Sequence, residues 1–135
     1  LPPCPDCWFT AVMPGYGIST PAAFAAYDQV GSPFHPDCAA QEAAIRAGDL
    51  AGLCAAAGNA LETCAGGADT AALKQALLAQ GARAALMTGS GAVVFGIFDA
   101  EAPARAAAEA LRTGSRQTYL LRPDKGGARV VRVIR

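Results

Sequence analysis

An α+β sandwich, with helices packed on one face of a mainly antiparallel sheet, is the fold class that this sequence predicts. Short β-favouring runs stand at Trp8–Met13, Ala84–Met87 and Val93–Phe98, with more after Thr118. A long alanine-rich tract of helical periodicity separates the first run from the second. The resulting order is strand, helices, two strands, a helix and a closing hairpin, which suits an α+β layer architecture. A chain of 135 residues is the size of one domain and buries roughly two thirds of its unfolded surface on folding.

The first strand, Trp8 to Met13, is closed by Pro14-Gly15-Tyr16-Gly17. A short helix then begins at Ile18-Ser19-Thr20-Pro21, with Thr20 as a suitable N-cap and Pro21 at the first helical position. It gives way near Gly31 to a loop over residues 32–37. From Glu42 to Ala65 the pattern is helical, with a break at Gly48 and Asp49 capping the second segment. There Leu50, Leu53, Cys54, Ala57, Leu61 and Cys64 recur at helical spacing and predict a buried face, while Gly58 signals close packing or a bend. Another helix runs from about Thr70 to Gln80, with Leu73, Leu77 and Leu78 inward and Gly81 ending it.

Ala84 to Met87 and Val93 to Phe98 are strands joined by a Gly-Ser-Gly turn at Gly89, Ser90 and Gly91. Asp99 is the expected cap of the last helix, Ala100 to Arg112, whose inner face carries Ala104, Ala107, Ala108 and Leu111. Alanine abundance reads as helical filler. Thr118 to Arg122 and residues 128–134 form the expected hairpin around Pro-Asp-Lys-Gly-Gly.

The Gly-Ser-Gly turn is the feature richest in functional information. A dinucleotide fingerprint requires spaced glycines leading into a helix, and here Val94 and a strand follow. A Walker loop requires Gly-Lys-Ser/Thr, and neither Lys74 nor Lys125, the only lysines, has that setting. What the turn does offer is positive φ and close backbone approach to another loop or ligand.

Formal charge is zero and charged residues are 16%, so no global field favours nucleic acid or a membrane surface. Eight Arg and Lys residues face only Glu109 and Asp124 after position 104, which reads as a solvated terminal edge. No run of eighteen apolar residues and no signal-peptide pattern is present, so a cytoplasmic location is expected. Leu1, with Pro2, Pro3 and Pro5 after it, reads as a linker within something longer. Cys4 and Cys7 have the spacing of a redox or zinc pair but no second pair to complete a metal site. The remaining thiols are expected to be reduced and structural, and His35, between Pro33 and Pro36, to be a loop residue.

Four segments carry a family resemblance: LPPCPDCWF at Leu1–Phe9, PGYGISTPAAF at Pro14–Phe24, GNALE at Gly58–Glu62 and MTGSGAVVFGIFD at Met87–Asp99. In this order they resemble the C-terminal half of a GHMP-superfamily small-molecule kinase, up to about Arg112. Within the superfamily the wording is nearest the branch acting on a cytidine-diphosphate-linked methylerythritol, in isoprenoid precursor synthesis by the non-mevalonate route. The resemblance implies a ferredoxin-like α+β domain spanning residues 1–135, with the N-terminal ATP-binding half absent. It implies a parent enzyme moving the γ-phosphoryl of ATP, with Mg²⁺, to a tertiary 2-hydroxyl. ATP and Mg²⁺ would be bound mainly by that absent half, leaving no catalytic residue and no metal ligand in this fragment, which is expected to be inactive alone.

By the same resemblance Thr20 and Phe24 match positions that touch the cytidine end of the substrate, and Gly89, Ser90 and Gly91 support the phosphate loop. Asn59 and Glu62 match a family helix without an assigned role. Ala22 departs from the acidic residue common in that wording and removes any charge-based contact there. The implied partners are the small-molecule substrate and the missing N-terminal domain, with no nucleic acid and no membrane. The alternatives are another GHMP kinase, acting on mevalonate, homoserine or a sugar, and a stand-alone ferredoxin-like regulatory or interaction module.

Overall fold

The computed structural model describes residues 1–30 and 34–126. Along the chain run β1 (Trp8–Met13), α1 (Thr20–Val30), α2 (Cys38–Ala47), α3 (Leu50–Ala56), α4 (Glu62–Ala65), α5 (Gly67–Ala79), β2 (Ala84–Met87), β3 (Val94–Phe98), α6 (Glu101–Leu111) and β4 (Gln117–Leu121). The strands form one antiparallel sheet in the order β2-β3-β1-β4. Strand β1 is therefore central and pairs with β3 on one side and β4 on the other. The second strand of the expected hairpin, residues 128–134, lies outside the described residues, as does the Gly31 end of the first helix.

Side chains alternate across a pleated strand, so each strand sends every second residue to the helices. Val12, Val94, Phe98 and Ala85 from the sheet meet Leu73 and Leu77 of α5 and Ala104 and Ala107 of α6 in one core cluster. Gly96 of β3 also faces this layer: a Cβ there would lie 3.0 Å from Ala82 Cβ and 3.2 Å from Leu77 Cδ2. The sheet and α5 meet where a side chain would not fit. Thr10, fully buried on β1, donates its hydroxyl to the Ala104 carbonyl at 2.6 Å and ties α6 to the central strand.

The alanines of α6 do more than fill a helix. Ala104 and Ala107 are completely buried, and their small size lets the helix backbone settle onto the sheet. On the opposite sheet face the Phe9 and Phe95 rings meet at a centroid distance of 5.9 Å, while Met13, Tyr119 and Leu121 remain exposed.

Several expected boundaries shift. The tract expected to be helical from Glu42 begins at Cys38, because Asp37 accepts the Ala40 N–H and caps four residues earlier. The Gly48 break and the Asp49 cap are present, Asp49 accepting from the Gly52 N–H. The helix does not continue to Ala65: α3 ends at Ala56 and residues 57–61 are a connection. With that interruption Leu50, Leu53, Cys54, Ala57, Leu61 and Cys64 cannot share one helical face, and all of them are only half-buried. Gly58 lies in the connection, with the Phe34 ring 2.6 Å from where its Cβ would be, so close packing explains it.

Helix α5 starts at Gly67, earlier than expected, and Leu78 points outward. Leu73 and Leu77 already fill the inner face, and a third leucine next to Leu77 projects away from it. Asp99 does not cap α6; it pairs with Arg83 across the sheet at 2.7 Å, and Ala100 stands at the N-cap without a side-chain bond.

Candidate functional site

The connection from β2 to β3 is a tight turn pinned at its base by two backbone bonds, Thr88 N–H to Val93 O at 2.9 Å and Gly91 N–H to Thr88 O at 2.7 Å. Gly89 and Gly91 take φ of +46° and +94°, which L side chains rarely adopt. At Gly91 space adds a second demand: a Cβ would lie 2.6 Å from Ile18 Cδ1 and 2.8 Å from Met87 Sδ. The turn thus presses its backbone against the entry to α1.

Thr20 and Phe24 stand one helical turn apart on α1, which places them on the same side of that helix. The Thr20 hydroxyl does not cap. Ser19, one residue earlier, accepts from the Ala22 N–H, while Thr20 Oγ1 reaches Ser90 Oγ at 2.8 Å. Two hydroxyls sharing one bond use one of their two protons, so the pair retains one donor for an incoming acceptor. Phe24 is 52% exposed, an aromatic face presented to solvent instead of the core. The structure thus brings Thr20 to the turn Gly89, Ser90, Gly91, with Phe24 exposed one helical turn further along α1.

From the other side the turn is gripped by Asn59. Its Nδ2 donates to both Met87 O and Gly89 O, each at 2.8 Å, and its Oδ1 accepts the Leu61 N–H at 3.0 Å. Asn59 lies in the connection before α4 and not on a helix, contrary to the family expectation. Glu62, at the start of α4, forms an ion pair with Lys74 of α5 at 2.6 Å; its side chain is 12% exposed. Asn59, Glu62 and Lys74 border a groove of about 650 Å³ that also touches Phe34, Thr70 and Leu86. The sequence signal for Asn59 was Gly58-Asn59 itself, a turn dipeptide interrupting a helical pattern.

No group of three His, Cys, Asp or Glu side chains among the described residues is arranged to hold a metal ion. Cys4 and Cys7 are free thiols, and burial, followed by neighbouring Cys4, pushes the Cys7 thiol up to about 12. A thiol so disposed is a poor nucleophile and a poor metal ligand at neutral pH. His35 is exposed in the loop before α2.

With this geometry in place, likeness to known proteins can be stated. The family described as GHMP kinases C terminal matches residues 40–116 of the chain. The chain belongs to that family. Among curated GHMP relatives, a 4-diphosphocytidyl-2-C-methyl-D-erythritol kinase of Moorella thermoacetica is 40% identical over 129 residues, covering 90% of this chain and 45% of the relative. A protein of the same name from Listeria monocytogenes is 37% identical, covering 94% of this chain and 44% of the relative. The chain spans less than half the length of the curated relatives it matches.

Among solved structures, a 4-(cytidine 5'-diphospho)-2C-methyl-D-erythritol kinase superposes with a TM-score of 0.72 at 25% identity, over 90% of this chain and 44% of that one. A homoserine kinase from Cytophaga hutchinsonii superposes with a TM-score of 0.70 at 16% identity, over 93% of this chain and 45% of that one, and so shares the fold. The GHMP domain expected from the four segments is thus the domain found, and its α+β antiparallel sheet is the fold of these neighbours.

Proposed function

We propose that this chain is the substrate-side domain of an ATP-dependent kinase that phosphorylates the 2-hydroxyl of 4-diphosphocytidyl-2-C-methyl-D-erythritol. The observation that carries the reading is the Thr20–Ser90 hydroxyl pair at the glycine turn, with the exposed Phe24 ring one helical turn along α1. Phe24 offers a face on which a pyrimidine stacks, and the spare hydroxyl proton offers a donor to its ring acceptors. The names of the curated relatives support the acceptor, and the family match supports phosphoryl transfer as the chemistry.

Phosphoryl transfer depends mainly on positioning and on charge stabilisation at the phosphates. The role assigned to this chain is positioning. Thr20 and Phe24 orient the cytidine end, and the turn Gly89, Ser90, Gly91 presents a rigid backbone surface for the phosphate loop of the preceding half. The residues of the site do not fit Mg²⁺: the nearby carboxylate, Glu62, is committed to Lys74, and no ion-binding cluster stands among the described residues. By the family resemblance, ATP and Mg²⁺ are assigned in this reading to the N-terminal half, together with the base that activates the acceptor hydroxyl. No helix of the described residues is long and apolar enough to cross a membrane.

Titration with cytidine diphosphate, followed by NMR, tests the reading on this chain. The Thr20 and Phe24 resonances are expected to shift in a saturable manner, and Phe24→Ala to weaken binding at least fivefold. Equal shifts with adenosine diphosphate, or shifts centred elsewhere, would overturn the cytidine pocket. A kinase for mevalonate, homoserine or a sugar has no use for such a pocket, so the same titration separates those readings.

A further inference from the structure

We propose that Asn59 is a positioning residue of the kinase site, holding the glycine turn in the one path that keeps Ser90 against Thr20 and the turn backbone against its neighbour. The inference deepens the reading above and rests on it. Asparagine is one of two side chains that place two N–H donors and a carbonyl acceptor on one planar group. Asn59 uses both donors on carbonyls two residues apart, Met87 O at the end of β2 and Gly89 O within the turn. Its acceptor is filled by the Leu61 N–H, so the plane of the amide is fixed by its own loop. The donors span 28 and 30 residues of sequence. They join the α3–α4 connection to the strand-turn junction.

The two carbonyls need this partner for a reason of topology. Among the described residues β2 is an edge strand, so Met87 O has no neighbouring described strand on its outer side. Gly89 adopts a positive φ that a free turn shares with many other states. The base of the turn is pinned by Thr88, Gly91 and Val93, but its tip has two outside attachments among the bonds described, Asn59 to Gly89 and Thr20 to Ser90. Thr20 is exposed and faces the proposed ligand, so its bond is the one exchanged during binding. Asn59 acts by holding the turn still meanwhile.

The test compares Asn59→Asp with Asn59→Ala. Aspartate keeps the shape of the side chain but loses both donors and turns a carboxylate toward two carbonyl oxygens, whereas alanine only removes the group. If Asn59 merely filled space, alanine would be the more harmful change and aspartate nearly silent. The clasp predicts the reverse order. In this chain, amide exchange at residues 89–91 should quicken at least tenfold in both variants, most in the aspartate one, with the β1–β4 amides unchanged as proof of folding. Unaltered exchange at the turn would overturn the proposal.

In the full-length enzyme, kcat should fall at least tenfold, and KM for the cytidylyl acceptor should rise at least threefold, because Ser90 no longer stands against Thr20. A loosened turn with kcat unchanged would also overturn it. Should the full-length enzyme prefer another acceptor, the substrate reading fails on its own, and the kcat ratio measured with that acceptor still decides the role of Asn59.

Discussion

At the scale of single residues, chemistry here is decided by what each polar atom faces. Thr20 and Ser90 are ordinary hydroxyls until a 2.8 Å bond makes them a pair with one proton to spare. Cys7 is the opposite case, a reactive group silenced by burial. Its folded thiol sits near 12 against a reference value of 9.0, so the folded chain keeps its proton where an unfolded chain gives it up. A raised thiol value stabilises the fold fully below the unfolded value, and this contribution drains away as pH climbs from about 9 toward 12. Iodoacetamide at pH 8.5 is expected to modify exposed Cys38 first and Cys7 only on unfolding. Replacing Cys7 by alanine should flatten the alkaline limb of a pH–stability curve. Early labelling of Cys7, found by peptide mass mapping, would contradict its burial.

At the scale of elements, the fit between β3 and α5 turns on a missing side chain. A methyl at Gly96 would come within 3.2 Å of Ala82, Phe98 and Leu77 at once, and Ala82 sits too close to the backbone to swing aside. Gly96→Ala is therefore expected to cost about 1–3 kcal/mol by overpacking, read as a lowered urea midpoint with an unchanged slope. Elements whose signal lies in their own residues were legible in the sequence. β1, β2, β3 and α6 fall within a residue of expectation because short apolar runs bounded by turn residues and an alanine stripe state their own periods.

The tract from 38 to 66 was less legible. Alanine, leucine and cysteine there suit a continuous helix, and only the Gly58-Asn59 dipeptide marks the connection that interrupts it. Thr20 read as a cap because its local sequence permits that role, yet a partner seventy residues away claimed the hydroxyl. Asp99 likewise left the N-cap for Arg83. Local propensity cannot announce a distant competitor. The site residues Thr20, Phe24, Gly89, Ser90 and Gly91 came from a family resemblance, and the clasp by Asn59 came from neither source until the fold joined the two loops.

At the scale of the whole molecule, one sheet face is covered by α5 and α6, while the β1–β4 side of the other carries Met13, Tyr119 and Leu121 at 37%, 45% and 48% exposure. Such a partly open aromatic and aliphatic face is expected to favour association. Sedimentation at rising concentration is expected to show weak, reversible self-association, reduced by Leu121→Lys; a strict monomer at millimolar concentration would argue against it. The strand order has a further consequence for how the chain comes to be folded. Its earliest strand occupies the middle of the sheet and waits for partners roughly 85 and 110 positions downstream. During synthesis, β1 emerges from the ribosome long before either flank exists, and the sheet closes only once Gln117–Leu121 has cleared the exit tunnel. Long-range pairing of this kind is slow, so among the described strands β4 is expected to join the sheet last.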